Sequence, residues 1–335
     1  MRTLTMLAIL LILVPLAAHA DEAARDNSTL LSEADRTFNS RDYAGATDLY
    51  AALADKAEAE GDTVVLVQAL AMTARGYLIQ GKKEQGREWL QRAADLACSD
   101  EPSGWSRYLG VKGRFEWQDD KKDTATQTFE SMYAYCMEHE LYSRAIDAAH
   151  MVAITGAFEQ QIEWAHRGIV AAEKGGEDGW LGPLWNNLGV TWWDRALETE
   201  GEDALKYNTE ALECYLKARD YHWKTGGEIN KLIADWAVGS AYRRAGEPQK
   251  AGAWLRPVLA WAERLYELDP TPENGEWIGW ASFDLGMLAA DAGESGRALE
   301  LLTTAKELLD AVGIQEWDPA SWETLNIRIK ETGGE

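Results

Sequence analysis

The chain has 335 residues, of which 46% are hydrophobic, 27% charged and 10% aromatic, fractions that fit a globular protein and exclude a disordered or collagen-like one. Its formal net charge is -23, from 33 Lys and Arg against 56 Asp and Glu. So acidic a surface repels phosphate backbones and anionic lipid, which argues against nucleic acid as a partner and against peripheral membrane attachment.

The first residues read as an export signal. Arg2 supplies a positive start, Met6 to Leu16 (MLAILLILVPL) a short apolar core, and Ala18-His19-Ala20 a small-x-small site that predicts cleavage before Asp21. The apolar run is too short to cross a bilayer comfortably, and no later stretch approaches the length of about eighteen apolar residues that a span needs. No Cys follows the cleavage site, so a lipoprotein anchor is not indicated. The expectation is a periplasmic or secreted protein that loses residues 1–20 and keeps no integral membrane anchor. Residues 21–30 read as a short polar linker, within which Asn27-Ser28-Thr29 matches a glycosylation sequon.

From residue 31 onward, small residues recur inside helical patterns. Ala34 and Ala46 are followed by Tyr50 and Leu53. Ala74 and Tyr77 lead through Gly81 to Gly86, Leu90 and Ala93, and Gly113 leads to Ala125, Phe129 and Met132. Residues 136–180 are the weakest stretch: Leu141–Thr155 and Phe158–Glu173 read as helices, but His150 stands at the expected small position. Next comes Trp185-Asn186-Asn187-Leu188-Gly189-Val190-Thr191-Trp192, then Ala211, Tyr215 and Ala218. Trp192 and Ala211 are nineteen positions apart where the other copies have nine, and this insertion, with its acidic Glu198–Asp203, reads as a lengthened hairpin loop. Gly239, Tyr242, Gly246, Ala251 and Leu255 form a further copy, and Gly286, Ala289, Gly293, Ala298, Leu302 and Ala305 another. Asp318-Pro319 opens a last helix that runs to about Lys330 and reads as a cap.

In five of these copies the two small residues stand twelve apart: 34 and 46, 74 and 86, 113 and 125, 239 and 251, 286 and 298. Two antiparallel helices approach closely only where a side chain is small, so a fixed offset marks a repeated hairpin crossing. Gly81, Gly246 and Gly293 fall between the helices, where a helix C-terminus favours a left-handed residue.

These motifs resemble the tetratricopeptide repeat (TPR) family. Trp185 to Trp192 matches its W-x2-L-G-x2-aromatic first helix, and Ala211, Tyr215 and Ala218 match its A-x3-F-x2-A second helix. The resemblance covers residues 31–135 and 180–310 best, and its signature positions are Ala74, Gly86, Gly113, Ala125, Gly189, Ala211, Gly239, Ala251, Gly286 and Ala298. It implies an all-α, right-handed superhelix of about seven antiparallel hairpins over residues 31–317, closed by a capping helix and tail over 318–335. The steps are near forty residues rather than thirty-four, so the repeats are similar to the extended ones of bacterial regulators and scaffolding adaptors.

Catalytic motifs are missing from the sequence. His139, His150, His166 and His222 stand in no zinc-binding spacing, and no nucleophile elbow, phosphate loop or dinucleotide motif is present. No enzyme activity, cofactor or metal is expected. Cys98, Cys136 and Cys214 make no disulfide framework, although a Cys98–Cys136 bridge stays open.

In the family the concave groove is lined by the first helix of each hairpin. Counting three before, one after and four after each small residue gives Arg75, Arg114, Trp117, Asn186, Trp193, Trp236, Arg243 and Phe283 as candidate partner-binding residues. Arg and Trp dominate binding hot spots, because each covers a large area and keeps a polar handle. The implied partner is a protein or peptide whose carboxylates meet the arginines. A glycan or cell-wall ligand stacked on the tryptophans is the alternative, and a helical module of a split enzyme is a third. The competing structural reading is that the aromatics pack between repeats while the arginines satisfy local acids.

Overall fold

The computed structural model describes residues 26–334, so the expected export signal, with Ala18, Ala20 and Asp21, lies outside the described residues. Among the described residues there is no strand. The chain forms two compact units, one ending at Met151 and the other beginning at Val152.

The first unit holds α1 (Asn27–Asn39), α2 (Tyr43–Glu60), α3 (Thr63–Ile79), α4 (Lys83–Leu96), α5 (Pro102–Gln118), α6 (Lys122–Glu138) and the start of α7 (Tyr142–Thr155). After the end of α7, the second holds α8 (Phe158–Gly175), α9 (Asp178–Leu197), α10 (Gly201–Thr225), α11 (Glu228–Arg244), α12 (Pro248–Leu268), α13 (Pro272–Asp291), α14 (Ser295–Asp310), α15 (Ile314–Trp317) and α16 (Pro319–Glu331). Within each unit a helix packs on its chain neighbours, and odd-numbered helices also meet the next odd one, as α3 meets α5 and α11 meets α13. That is the layering of stacked hairpins, with the odd helices on one side.

Local chemistry starts and stops these helices. Asp26, Asp42, Asp62, Glu101, Thr271 and Asp318 each accept a hydrogen bond from a backbone N–H in the first turn of the helix that follows. Because Asp26 caps it, α1 begins at Asn27, and residues 27–30 are helix rather than the linker that their polarity indicated. The turns inside hairpins pass through the left-handed region, at φ +73° for Gly246 and +77° for Gly293. Arg41 (φ 69°) and Asp120 (φ 59°) occupy the same turn in other hairpins, where their side chains make that backbone costlier.

The crossings follow one rule. A Cβ on Gly113 would stand 2.7 Å from Cε1 and Cζ of Phe129, one on Gly189 2.8 Å from Tyr215, one on Gly239 2.8 Å from Leu255, and one on Gly286 2.8 Å from Leu302. In each case the intruding side chain comes from the second helix, four residues after its own small residue. Those small residues, Ala125, Ala211, Ala251 and Ala298, are themselves buried. Gly86 meets Phe115 and the carbonyl of Ala74 in the same manner. The resulting core is a series of clusters, such as Ala34, Ala46, Tyr50 and Met72 in the first unit. In the second, Leu302, Leu309, Ile314, Leu325 and Ile329 join α14, α15 and α16, so the last helix covers the final hairpin.

One sequence expectation needs correction. The insertion before Ala211 is not a loop: α9 runs to Leu197 and α10 starts at Gly201, which leaves three residues between them. The added residues lengthen both helices, and aromatic packing holds the extension. Trp192 stacks on Tyr207 at 5.8 Å, and Phe158 meets Trp192 edge-on at 5.3 Å. The acidic Glu202 and Asp203 occupy the first turn of α10, where the helix dipole favours negative charge. The weak stretch is helical as expected, in α7 and α8, with His150 half-buried in α7. All three cysteines are free thiols, Cys98 exposed and Cys136 and Cys214 buried. Among the described residues no helix is long and apolar enough to cross a membrane.

Candidate functional site

The odd helices of the first unit carry a band of arginines. Arg75 stands on α3, Arg107 and Arg114 on α5, and Arg144 on α7. Arg107 lies seven residues before Arg114, as Gln68 does before Arg75. Seven residues are nearly two helical turns, so each pair shares one face of its helix.

Each of three arginines has fixed partners. Arg107 donates from Nη1 to Asp35 Oδ1 at 2.7 Å and from Nη2 to Asp35 Oδ2, a bidentate pair that joins α5 to α1. Tyr50 donates its hydroxyl to the same Asp35 oxygen at 2.5 Å. Arg114 donates to Asp147 Oδ1 at 2.7 Å and to the Gly110 carbonyl at 3.0 Å, which joins α5 to α7. Arg144 donates to the Ser103 carbonyl, to Ser106 Oγ and, at 3.1 Å, to Gln68 Oε1.

Arg75 differs. Its guanidinium lies 4.9 Å from the centre of the Phe38 ring, and its Nε is buried with no hydrogen-bond acceptor among the described residues.

The charges act on one another. Burial works against the Asp147 carboxylate, but Arg114 and then Arg75 outweigh it and hold its pKa at about 2. Burial likewise opposes Asp35, and its bonds to Arg107 more than offset it, so Asp35 titrates below the usual carboxylate range. Burial, followed by repulsion from Arg114, lowers Arg75 to about 10. Burial, then Arg107, lowers Arg144 to about 10. Four guanidinium groups thus share two directly bonded carboxylates, Asp35 and Asp147, on a chain whose overall balance is strongly acidic.

The remaining candidates from the sequence have other surroundings. Trp117 is half-buried on α5, four residues past Gly113, and Asn186 is half-buried on α9. In the second unit Asp284 is 1% exposed and accepts from Arg243 Nε at 2.7 Å and from Trp236 Nε1 at 2.9 Å. Trp236 also meets Trp277 and Trp280, each at 5.7 Å between ring centres. Phe283 is buried, edge-on to Trp280 at 6.0 Å. Trp193 lies under the Arg244 guanidinium at 4.0 Å, and Arg244 donates to Ser240 Oγ at 3.0 Å. Arg243, Trp236 and Phe283 therefore have internal partners, as the packing alternative described for such residues.

Sequence reasoning missed Arg107, Arg144, Asp35 and Asp147. The first two could have been found: Gln68, Arg107 and Arg144 each stand six positions before the small-residue position of their helix, at Ala74, Gly113 and His150. Asp35 stands one position after Ala34, in register with Arg75 and Arg114.

No protein-family model matches the sequence, and no curated protein matches it. Among solved structures, RapI in its apo form aligns with a TM-score of 0.66 at 12% identity, over 85% of this chain and 76% of RapI. The C-terminal part of a TPR repeat-containing protein from Cytophaga hutchinsonii aligns at 0.54 and 12% identity, over 84% of this chain and 98% of that one. The fold is TPR-like. A signal transduction ATPase with numerous domains from Pyrococcus horikoshii, which carries a tetratricopeptide repeat sensor, shares it at a TM-score of 0.61 and 14% identity. This chain covers 44% of that protein, while 91% of this chain is matched. In TPR-like terms, the odd-numbered helices here are the first helices of each hairpin, and the arginine band runs along them.

Proposed function

We propose that this protein is an extracytoplasmic scaffold that binds a protein or peptide partner along the odd-numbered helices of its first unit, and that it acts by binding rather than by catalysis. The observation that carries the reading is the arginine band. Four guanidinium groups gather on one side of a stacked-hairpin unit, in a chain with a net charge of -23, and they come from three successive first helices. Such a side is pre-organised: rigid helices hold the polar groups in place, so little ordering remains when a partner arrives. The repeat pattern supports a binding role, since stacked hairpins present extended surfaces. The export reading is supported by Arg2, the apolar run Met6–Leu16 and the Ala18-His19-Ala20 site.

The test has two parts. The protein recovered from an extracytoplasmic fraction should begin at Asp21, and an intact Met1 start in the cytoplasm would refute export. Immobilised mature chain should capture a saturable protein partner from the native envelope, and a variant carrying Arg75→Gln and Trp117→Ala should lose it while keeping its helical circular dichroism. Equal capture by the variant would refute the assignment of the face.

A further inference from the structure

The arginine band is complete at three positions and incomplete at the fourth. Arg107 is answered by Asp35, Arg114 by Asp147, and Arg144 by Ser103, Ser106 and Gln68. Arg75 has an aromatic ring beneath it and a buried Nε with no acceptor. Asp147 exerts an attraction on Arg75, but its Oδ1 is engaged by Arg114, and Arg114 and Arg107 add repulsion. The side chain is nonetheless only half-buried, so its outer edge stays within reach of solvent.

A buried donor without an acceptor is rare in folded proteins and calls for an explanation. Five donors in a planar fork suit a planar oxyanion, and a carboxylate matches two of them at once. A lone guanidinium in this setting weakens the free fold, and a residue retained at such a cost is more readily understood as part of a recognition site than as part of the core.

Building on the scaffold reading, we propose that Arg75 is the anchor for a carboxylate of the partner, carried by an acidic peptide segment that lies along α3 and α5. The incoming group supplies the acceptor that Asp35 and Asp147 supply to the neighbouring arginines. Phe38 holds the guanidinium from below, so the carboxylate approaches in the plane of the fork.

The experiment uses the mature chain, its Arg75→Met variant and two seven-residue alanine-rich probes. One probe is acetylated and amidated and carries glutamates, so its only carboxylates are side chains. The other carries glutamines in their place and a free C-terminus. The readouts are the Arg75 Nε–Hε resonance, assigned by its absence in Arg75→Met, and the dissociation constant by calorimetry. One probe should move that resonance in wild type and bind the variant about 10- to 100-fold more weakly; which probe does so identifies a side-chain or a terminal carboxylate as the source. The variant should melt at or above the wild-type temperature. Three results would each overturn the anchor: neither probe moving the resonance, inorganic phosphate at matched ionic strength competing as strongly as the probe, or a marked drop in the variant's melting temperature. Capture of the native partner separates this idea from the broader one. If Arg75→Met holds the partner like wild type while Trp117→Ala loses it, the anchor is wrong and the scaffold stands. If both variants hold it, the scaffold reading falls too.

Discussion

Asp284 offers the sharpest test of what the second unit's arginine and tryptophan do. The carboxylate is 1% exposed, and its two oxygens take hydrogen bonds from Arg243 Nε at 2.7 Å and Trp236 Nε1 at 2.9 Å. In Asp284→Ala both donors lose their acceptor. Removing one partner of a buried ion pair costs about 3–5 kcal/mol. The Arg243 side chain is 16% exposed, so water recovers part of that and the lower end applies. The orphaned indole N–H adds about 1 kcal/mol. The expected loss is about 4 kcal/mol, or a fall of about 8–16 °C in melting temperature for a unit of this size. Asp284→Asn keeps an acceptor for one donor and should lose about half as much. Pairing Arg243→Met with Asp284→Leu should recover most of the stability, since an apolar pair of similar volume is often close to neutral. Urea unfolding followed by circular dichroism and tryptophan emission, with an unchanged m-value, would give these differences. A loss under about 1 kcal/mol in Asp284→Ala, or no coupling between the two sites in the double-mutant cycle, would refute the argument and free Arg243 and Trp236 for a partner.

Two further outcomes follow from the geometry. Gly113→Ala should destabilise the first unit by about 1 kcal/mol or more: a Cβ would sit 2.7 Å from the ring of buried Phe129, and the overpacking outweighs the gain of about 1 kcal/mol in helix propensity. Because propensity alone has the opposite sign, a raised melting temperature would refute the close crossing. The acid limb of stability should carry the mark of Asp147, which titrates at about 2 in the fold against about 3.9 in an unfolded chain. The fold then binds fewer protons than the unfolded chain, so this contribution is whole above about pH 5 and drains away as the pH falls toward 2. It amounts to about 2 kcal/mol after allowance for the 30% exposure of the side chain. Arg114→Met should flatten that slope in urea midpoints measured from pH 6 to about 2, and an unchanged slope would count against the pair.

Much of the fold was legible because close helix crossings need small residues at a fixed offset, and Gly113, Gly189, Gly239 and Gly286 all meet a side chain from the second helix of their hairpin. The insertion before Ala211 was misread because acidic residues signal both loops and helix starts. Nothing local separates the two, whereas the Trp192–Tyr207 stack decides it in three dimensions. The site was half legible. Arg75 and Arg114 sit one position after the small residue, where the repeat register placed them, but Arg107 and Arg144 lie a heptad earlier on their helices and escaped a count that stopped three residues back. What was not readable was which acid answers which base. Asp284 is 41 positions from Arg243, and Asp35 is 72 from Arg107. Only the stacking of hairpins brings such residues together.

The arginine band also bears on the kinetics of recognition. A carboxylate-bearing visitor first meets a molecule with a formal charge of -23, whose field extends roughly 8 Å into physiological saline. Attraction to the guanidinium groups is felt only inside that fringe. Encounter is therefore slowed by like charge, and capture is governed by contacts that form last. Added salt should quicken arrival by screening the fringe, while departure, set by partly buried ion pairs, changes less. Most charged receptors draw their ligands from afar and lose affinity in brine; this one is built to be shielded at a distance and adhesive at close range.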